Sequence, residues 1–176
     1  MESRRHLAPR LLAGLQVGML GGLGTLVWLV ILSAWNLQGP WTLVNLLAYA
    51  TRAAVNWEYR FSMASVIGIA AHLFTCGSLG IFCGWLLPRP HGAARVSITA
   101  LIFGVLLSLL TYQLFWVRVA PPLSMYIAPA AVWIAHVMFG LSLAQFPRFY
   151  MRLAPDPMAD LPPLFETLDP EPPEGD

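Results

Sequence analysis

The sequence predicts an all-α integral membrane protein: four transmembrane helices in a bundle plus one interfacial amphipathic helix. Three observations carry this. Hydrophobic residues make up 57% of the 176-residue chain and charged residues 11%, against about a quarter charged in soluble domains. The charges leave four windows without Asp, Glu, Lys or Arg, at 11–51, 61–88, 96–117 and 119–147, each longer than the roughly 20 residues that cross a bilayer as a helix. Runs such as ITALIFGVLLSLL do not alternate in polarity as barrel strands must, so helices satisfy the backbone.

Residues 1–10 form a charged N-terminus. The first span, about 11–35, is longer than a signal-peptide core, and no small-x-small cleavage pattern closes it. It stops near Gly39-Pro40, where a second helix begins with proline in its first turn. Over about 40–57 a helical period puts Leu43, Leu46, Leu47, Ala50, Ala54 and Trp57 on one face and Asn45, Tyr49, Arg52 and Asn56 opposite. That pattern suits a helix lying flat on the membrane surface, the alternative being a loop packed over the bundle. The second span, about 61–87, ends at Pro88-Arg89-Pro90. The third, about 95–117, runs into a short connection with Pro121-Pro122. The fourth, about 124–146, carries Pro129 in its first turn or at a kink.

Every one of the ten basic side chains is Arg. Arg4, Arg5, Arg10, Arg89, Arg95, Arg148 and Arg152 fall on one side of this topology and Arg52, Arg60 and Arg118 on the other. The positive-inside rule then places both termini in the cytoplasm. Segment 154–176 holds seven of the nine acidic residues and seven prolines, a composition that cannot offset its ordering entropy and reads as a disordered cytoplasmic tail. Its apolar cluster, Leu161 to Leu168, could dock on a partner.

Within the spans, small residues recur every fourth position: Gly14, Gly18 and Gly22 on the first; Gly68, Cys76, Gly80 and Gly84 on the second; Ala100, Gly104 and Ser108 on the third. Such faces let helix backbones approach in lipid, inside this chain or against another subunit. A faint duplication aligns AAHLFTCGSLG with IAHVMFGLSLA, bringing His72 and His136 to one depth on two parallel spans. Facing each other, the two rings would be candidate ligands of a b-type haem, with Gly68 and Gly140 making room for the porphyrin. Otherwise each ring stays neutral and makes one hydrogen bond to a carbonyl or to the other ring. A metal held by His72, Cys76 and His136 lacks a fourth ligand, and Cys76 and Cys83 read as small packing residues.

No carboxylate lies in a span, which argues against a proton-coupled transporter, and no nucleophile–base pair, phosphate-binding loop or nucleic-acid-binding stripe is present. The layout from 11 to 155, on the strength of His72 through Pro88, Pro121-Pro122 and His136 through Arg152, resembles the YagU-like family of uncharacterised bacterial inner-membrane proteins. That resemblance implies a bacterial cytoplasmic membrane location and no particular activity. The expectation is therefore a non-enzymatic multi-pass protein embedded in the lipid bilayer, an accessory or structural subunit packed through its glycine faces against other membrane protein subunits. A haem b electron-transfer protein is the alternative, and a small transporter or channel the weaker one.

Overall fold

The computed structural model describes residues 7–36, 39–51, 59–86, 93–116, 118 and 125–154. The expected tail beyond 154, the Pro88-Arg89-Pro90 and Pro121-Pro122 turns, residues 1–6 and the last third of the expected surface helix lie outside them. The described elements are helical: α1 Leu7–Trp35, α2 Thr42–Tyr49, α3 Met63–Leu86, α4 Ala93–Leu110 running into a π-helical turn Thr111–Trp116, α5 Pro129–Leu143 and α6 Phe146–Leu153. Four stretches are long and apolar enough to cross a membrane, namely α1, α3, 94–113 and the α5–α6 unit 129–153. Their outward faces are apolar as well. Leu20, Leu23, Val27 and Ile31 stand exposed along α1, Phe74, Phe82 and Trp85 along α3, Ile98, Ile102 and Leu106 along α4, and Ile134, Val137 and Leu141 along α5. Water would penalise such stripes and hydrocarbon does not. The chain is a multi-pass membrane protein.

Glycine determines how the helices meet. A Cβ on Gly14 or Gly80 would collide with the other's carbonyl oxygen, one on Gly18 with that of Cys76, and one on Gly84 would lie 2.5 Å from the Arg10 oxygen. The rows predicted on the first two spans thus face each other across an antiparallel α1–α3 contact. Gly104 does the same against α5, where a Cβ would come within 2.7 Å of the His136 oxygen and 3.2 Å of Gly140 Cα. These six predicted packing glycines, Gly14, Gly18, Gly22, Gly80, Gly84 and Gly104, are all spent inside the chain. α1 is central, packing on both α3 and α5, and α4 packs on α5. α3 and α4, although consecutive spans, keep their backbones apart and share side chains such as Cys83 and Ala100 in one core cluster.

Three of the hydrogen bonds between spans are aimed at carbonyls. Arg10 donates to Trp85 O at 3.3 Å, Ser142 Oγ to Val17 O at 2.6 Å and Trp28 Nε1 to Ala131 O at 3.1 Å. Each guards a polar group that lipid would leave unpaired, and the Arg10 charge also faces the negative end of the α3 dipole.

The segment expected to lie flat behaves differently. α2 is eight residues long, and Thr42, Leu43, Val44, Asn45, Leu46 and Ala48 are buried. Gly39, at φ +85°, makes the left-handed turn into it. Trp41 at the N-cap supplies no side-chain cap; Ser33 of α1 accepts the Leu43 N–H at 3.0 Å in its place. On the other side Gly68 of α3 lets the Val44 carbonyl approach so closely that any Cβ would clash. α2 is therefore wedged between α1 and α3, nearer to the packed-loop alternative. Asn45, expected on the polar outer face, points inward.

At its far end the last span departs from the expected 124–146. Ala128 is extended (ψ 143°), as a residue before proline must be, so Pro129 opens α5 in its first turn. The ladder then breaks at Ala144-Gln145, and α6 follows with Pro147 in its first turn. Phe146 and Tyr150 of α6 stack at 6.0 Å and join the α1 residues Ala13 and Val17 in one core cluster, while Arg148 and Arg152 stay exposed.

Candidate functional site

Between the two core clusters the bundle is hollow. One cluster gathers Val17, Cys83, Ala100, Phe139 and Leu143 towards the terminal end. The other gathers Leu29, Leu43, Leu46, Trp116, Ile127 and Val132 at the opposite end. A cavity of about 460 Å³ separates them, walled by Leu29, Leu79, Leu107, Leu110, Ala135 and Phe139 among others, with Thr25, His72, Thr75, Thr111 and His136 as its polar groups. Because the backbones of α3 and α4 stay apart, the hollow lies in a cleft between them, floored by α1 and α5. The π-helical turn of α4 contributes Thr111 and Trp116 to its wall; widened turns of this kind are frequent where helices shape sites.

The sequence placed His72 and His136 at one depth, and the contacts of α1 give that depth a scale. Thr25 reaches His72. Gly21 lies against Phe139, one turn beyond His136, and Trp28 reaches Ala131, one turn before it. Both rings therefore sit at the level of Thr25, half-buried on opposite walls of the cavity.

Their hydrogen bonds define what each ring offers. His136 Nδ1 lies 2.8 Å from the Val132 carbonyl one turn back. A carbonyl only accepts, so the tautomer assigned from this partner carries its hydrogen on Nδ1 and leaves the Nε2 lone pair bare. His72 Nε2 lies 2.7 Å from Thr25 Oγ1 and 3.5 Å from Cys76 Sγ. Thr25 gives its single hydroxyl hydrogen to the Gly22 carbonyl at 3.0 Å, so His72 Nε2–H donates to the Thr25 oxygen, and Nδ1 is the bare nitrogen. Thr75 is likewise satisfied internally, donating to Ala71 O at 2.8 Å. The cavity presents imidazole lone pairs to whatever fills it.

This arrangement offers no positive support for a bis-histidine haem. Such a haem needs both rings to aim a free nitrogen at the iron with space between them. His72 Nε2 is tied to α1, and Gly68 and Gly140, expected to admit the porphyrin, are covered by the backbone of α2 and α4 respectively. Among the described residues no three His, Cys, Asp or Glu side chains gather closely enough to hold a metal ion. Both cysteines are buried and free.

Thr25 is the site residue that sequence reasoning missed. Its signal was present: Thr25 stands three residues beyond Gly22, on the same helical face as the row Gly14, Gly18, Gly22. No family model, curated protein or solved structure matches this chain.

Proposed function

We propose that this protein binds a predominantly apolar small molecule that enters the cleft between α3 and α4 from the bilayer. One observation carries the reading: a cavity of about 460 Å³, within the size range of ligand sites, with apolar walls and a few convergent polar groups at mid-span. The accessory-subunit reading rests on spans without catalytic or ion-path residues beside a Pro-rich acidic tail, and the six glycines through which it would pack are engaged in α1–α3 and α4–α5 packing. The protein binds rather than transforms its ligand, since the cavity wall brings together two imidazoles and hydroxyls without a carboxylate.

Filling the cavity tests this. Ala135 lies on the wall without being fully buried, so Ala135→Phe projects a ring into the hollow. Protein extracted gently from its membrane and weighed by native mass spectrometry is expected to carry a bound lipophilic adduct, and the Ala135→Phe protein to lack it while keeping its helical content and thermal midpoint. No adduct on the unmodified protein, or an adduct indifferent to Ala135→Phe, removes the proposal.

We propose that both termini lie in the cytoplasm, on the strength of seven Arg on the terminal side of the bundle against three on the other; a bacterial cytoplasmic membrane rests on the resemblance of the layout alone. A cysteine introduced at Met125 is expected to react with a membrane-impermeant maleimide in intact cells, and one at Met151 only after lysis. The opposite pattern inverts the topology.

A further inference from the structure

The two bare imidazole nitrogens give the cavity a polarity that its volume alone does not. We propose that the cleft selects molecules whose polar head is a hydrogen-bond donor, an apolar hydroxyl compound rather than a ketone, ether or ester of the same shape, with His136 Nε2 as the acceptor. The inference rests on the cavity reading above and deepens it.

Four hydrogens on the cavity wall are already committed. The Nδ1–H of His136 goes to Val132, the Nε2–H of His72 to Thr25, the Thr25 hydroxyl to Gly22 and the Thr75 hydroxyl to Ala71. These four donors are turned back onto the protein; Thr111, on the α4 wall, is the other hydroxyl that lines the cavity. His136 Nε2 has no hydrogen-bond partner among the described residues and lines the same hollow. A ligand hydroxyl entering at this depth finds an acceptor waiting. An ether or ketone oxygen at the same place sets one lone pair against another, and the nitrogen loses its access to water without gaining a partner. A buried acceptor left unpaired in that way is costly, whereas the bond to an arriving O–H is gained. Moving the ring hydrogen to Nε2 does not rescue the acceptor-only ligand, because the bare Nδ1 would then face the Val132 carbonyl.

The walls determine the remainder of the molecule. Leu79, Leu107, Leu110 and Phe139 call for a hydrocarbon body, and the open cleft between α3 and α4 lets a tail trail into lipid. Two sources supply this chemistry, an isoprenoid alcohol and a prenylated hydroquinone; the shared feature is an O–H on a branched apolar chain.

Displacement of tritiated farnesol from the detergent-solubilised full chain tests selectivity without any mutation. Farnesol is expected to compete at least about tenfold more strongly than its methyl ether, the difference one orphaned acceptor imposes. A prenylated hydroquinone should likewise exceed its quinone. Whichever of farnesol and the hydroquinone competes better assigns the source, and either order supports the donor rule. His136→Phe, which keeps the bulk and removes the acceptor, is expected to bring alcohol and ether to equal strength. Equal competition by alcohol and ether on the unmodified protein overturns the inference while leaving the cavity reading in place, as does a preference that survives His136→Phe. No farnesol binding to a protein that still carries an Ala135-dependent native adduct also overturns it. Absence of both fells the cavity reading first.

Discussion

Gly80→Leu is expected to separate α1 from α3 and to abolish the compact bundle in mild detergent, whereas Gly24→Leu, on the same pair of helices, is expected to leave it intact. At Gly80 a Cβ would collide with the Gly14 carbonyl oxygen and lie 2.7 Å from Gly18 Cα. Both obstacles are backbone, so no side-chain rotation relieves them and the two helices must move apart along the whole row from Arg10–Gly84 to Gly22–Cys76. Overpacking a core typically costs about 1–3 kcal/mol where side chains can yield; a backbone-on-backbone contact belongs at the upper end or beyond. At Gly24 the nearest neighbour is Met138 Cε at 3.9 Å, and leucine has the better helix propensity, so the change stays within about 0.5 kcal/mol. Thermal unfolding followed by circular dichroism, with size-exclusion chromatography of the folded fraction, reads both. Equal midpoints for the two variants would mean that α1 and α3 do not pack through this row.

That contrast also shows which parts of the fold were legible. Charge-free windows located the spans because lipid leaves a chain no other way to satisfy its backbone. The glycine rows located their faces because close approach demands small residues at one helical period. His72 and His136 were placed at one depth by counting from the span ends. What escaped was whatever depended on a partner distant in sequence. Asn45 read as an outward polar residue since amphipathicity alone assigns polar side chains to water, and nothing local announces that Ser65, twenty residues on, will receive it. Thr25 escaped for a related reason, being one hydroxyl in an apolar helix whose role exists only once His72 is across from it. The π-helical turn at Thr111 follows from no local signal we can identify in TYQLFW.

Asn45→Leu is the second change expected to be severe, and it tests the feature that the sequence concealed. Asn45 Nδ2 donates to the Arg60 carbonyl at 3.0 Å, and Asn45 Oδ1 accepts from Ser65 Oγ at 2.5 Å. Ser65 Oγ in turn accepts the Ser62 N–H at 3.0 Å, half of a reciprocal cap at the start of α3. Asn45 and Ser65 are both buried, so one amide side chain fastens α2 to the opening turn of α3, opposite the Ser33 bond that fastens it to α1. Leucine matches the volume but orphans the Arg60 carbonyl and the Ser65 hydroxyl hydrogen, each at about 1–3 kcal/mol. The expected result is a lowered unfolding midpoint together with loss of the adduct, because Leu47 and Ala50, at the end of α2, wall the cavity. Adding Ser65→Ala removes one orphan and should return part of the stability, a coupling that a double-mutant cycle measures directly. If Asn45→Leu and Ser65→Ala prove simply additive, the two side chains do not share a bond, and α2 is held by Ser33 and Gly68 alone.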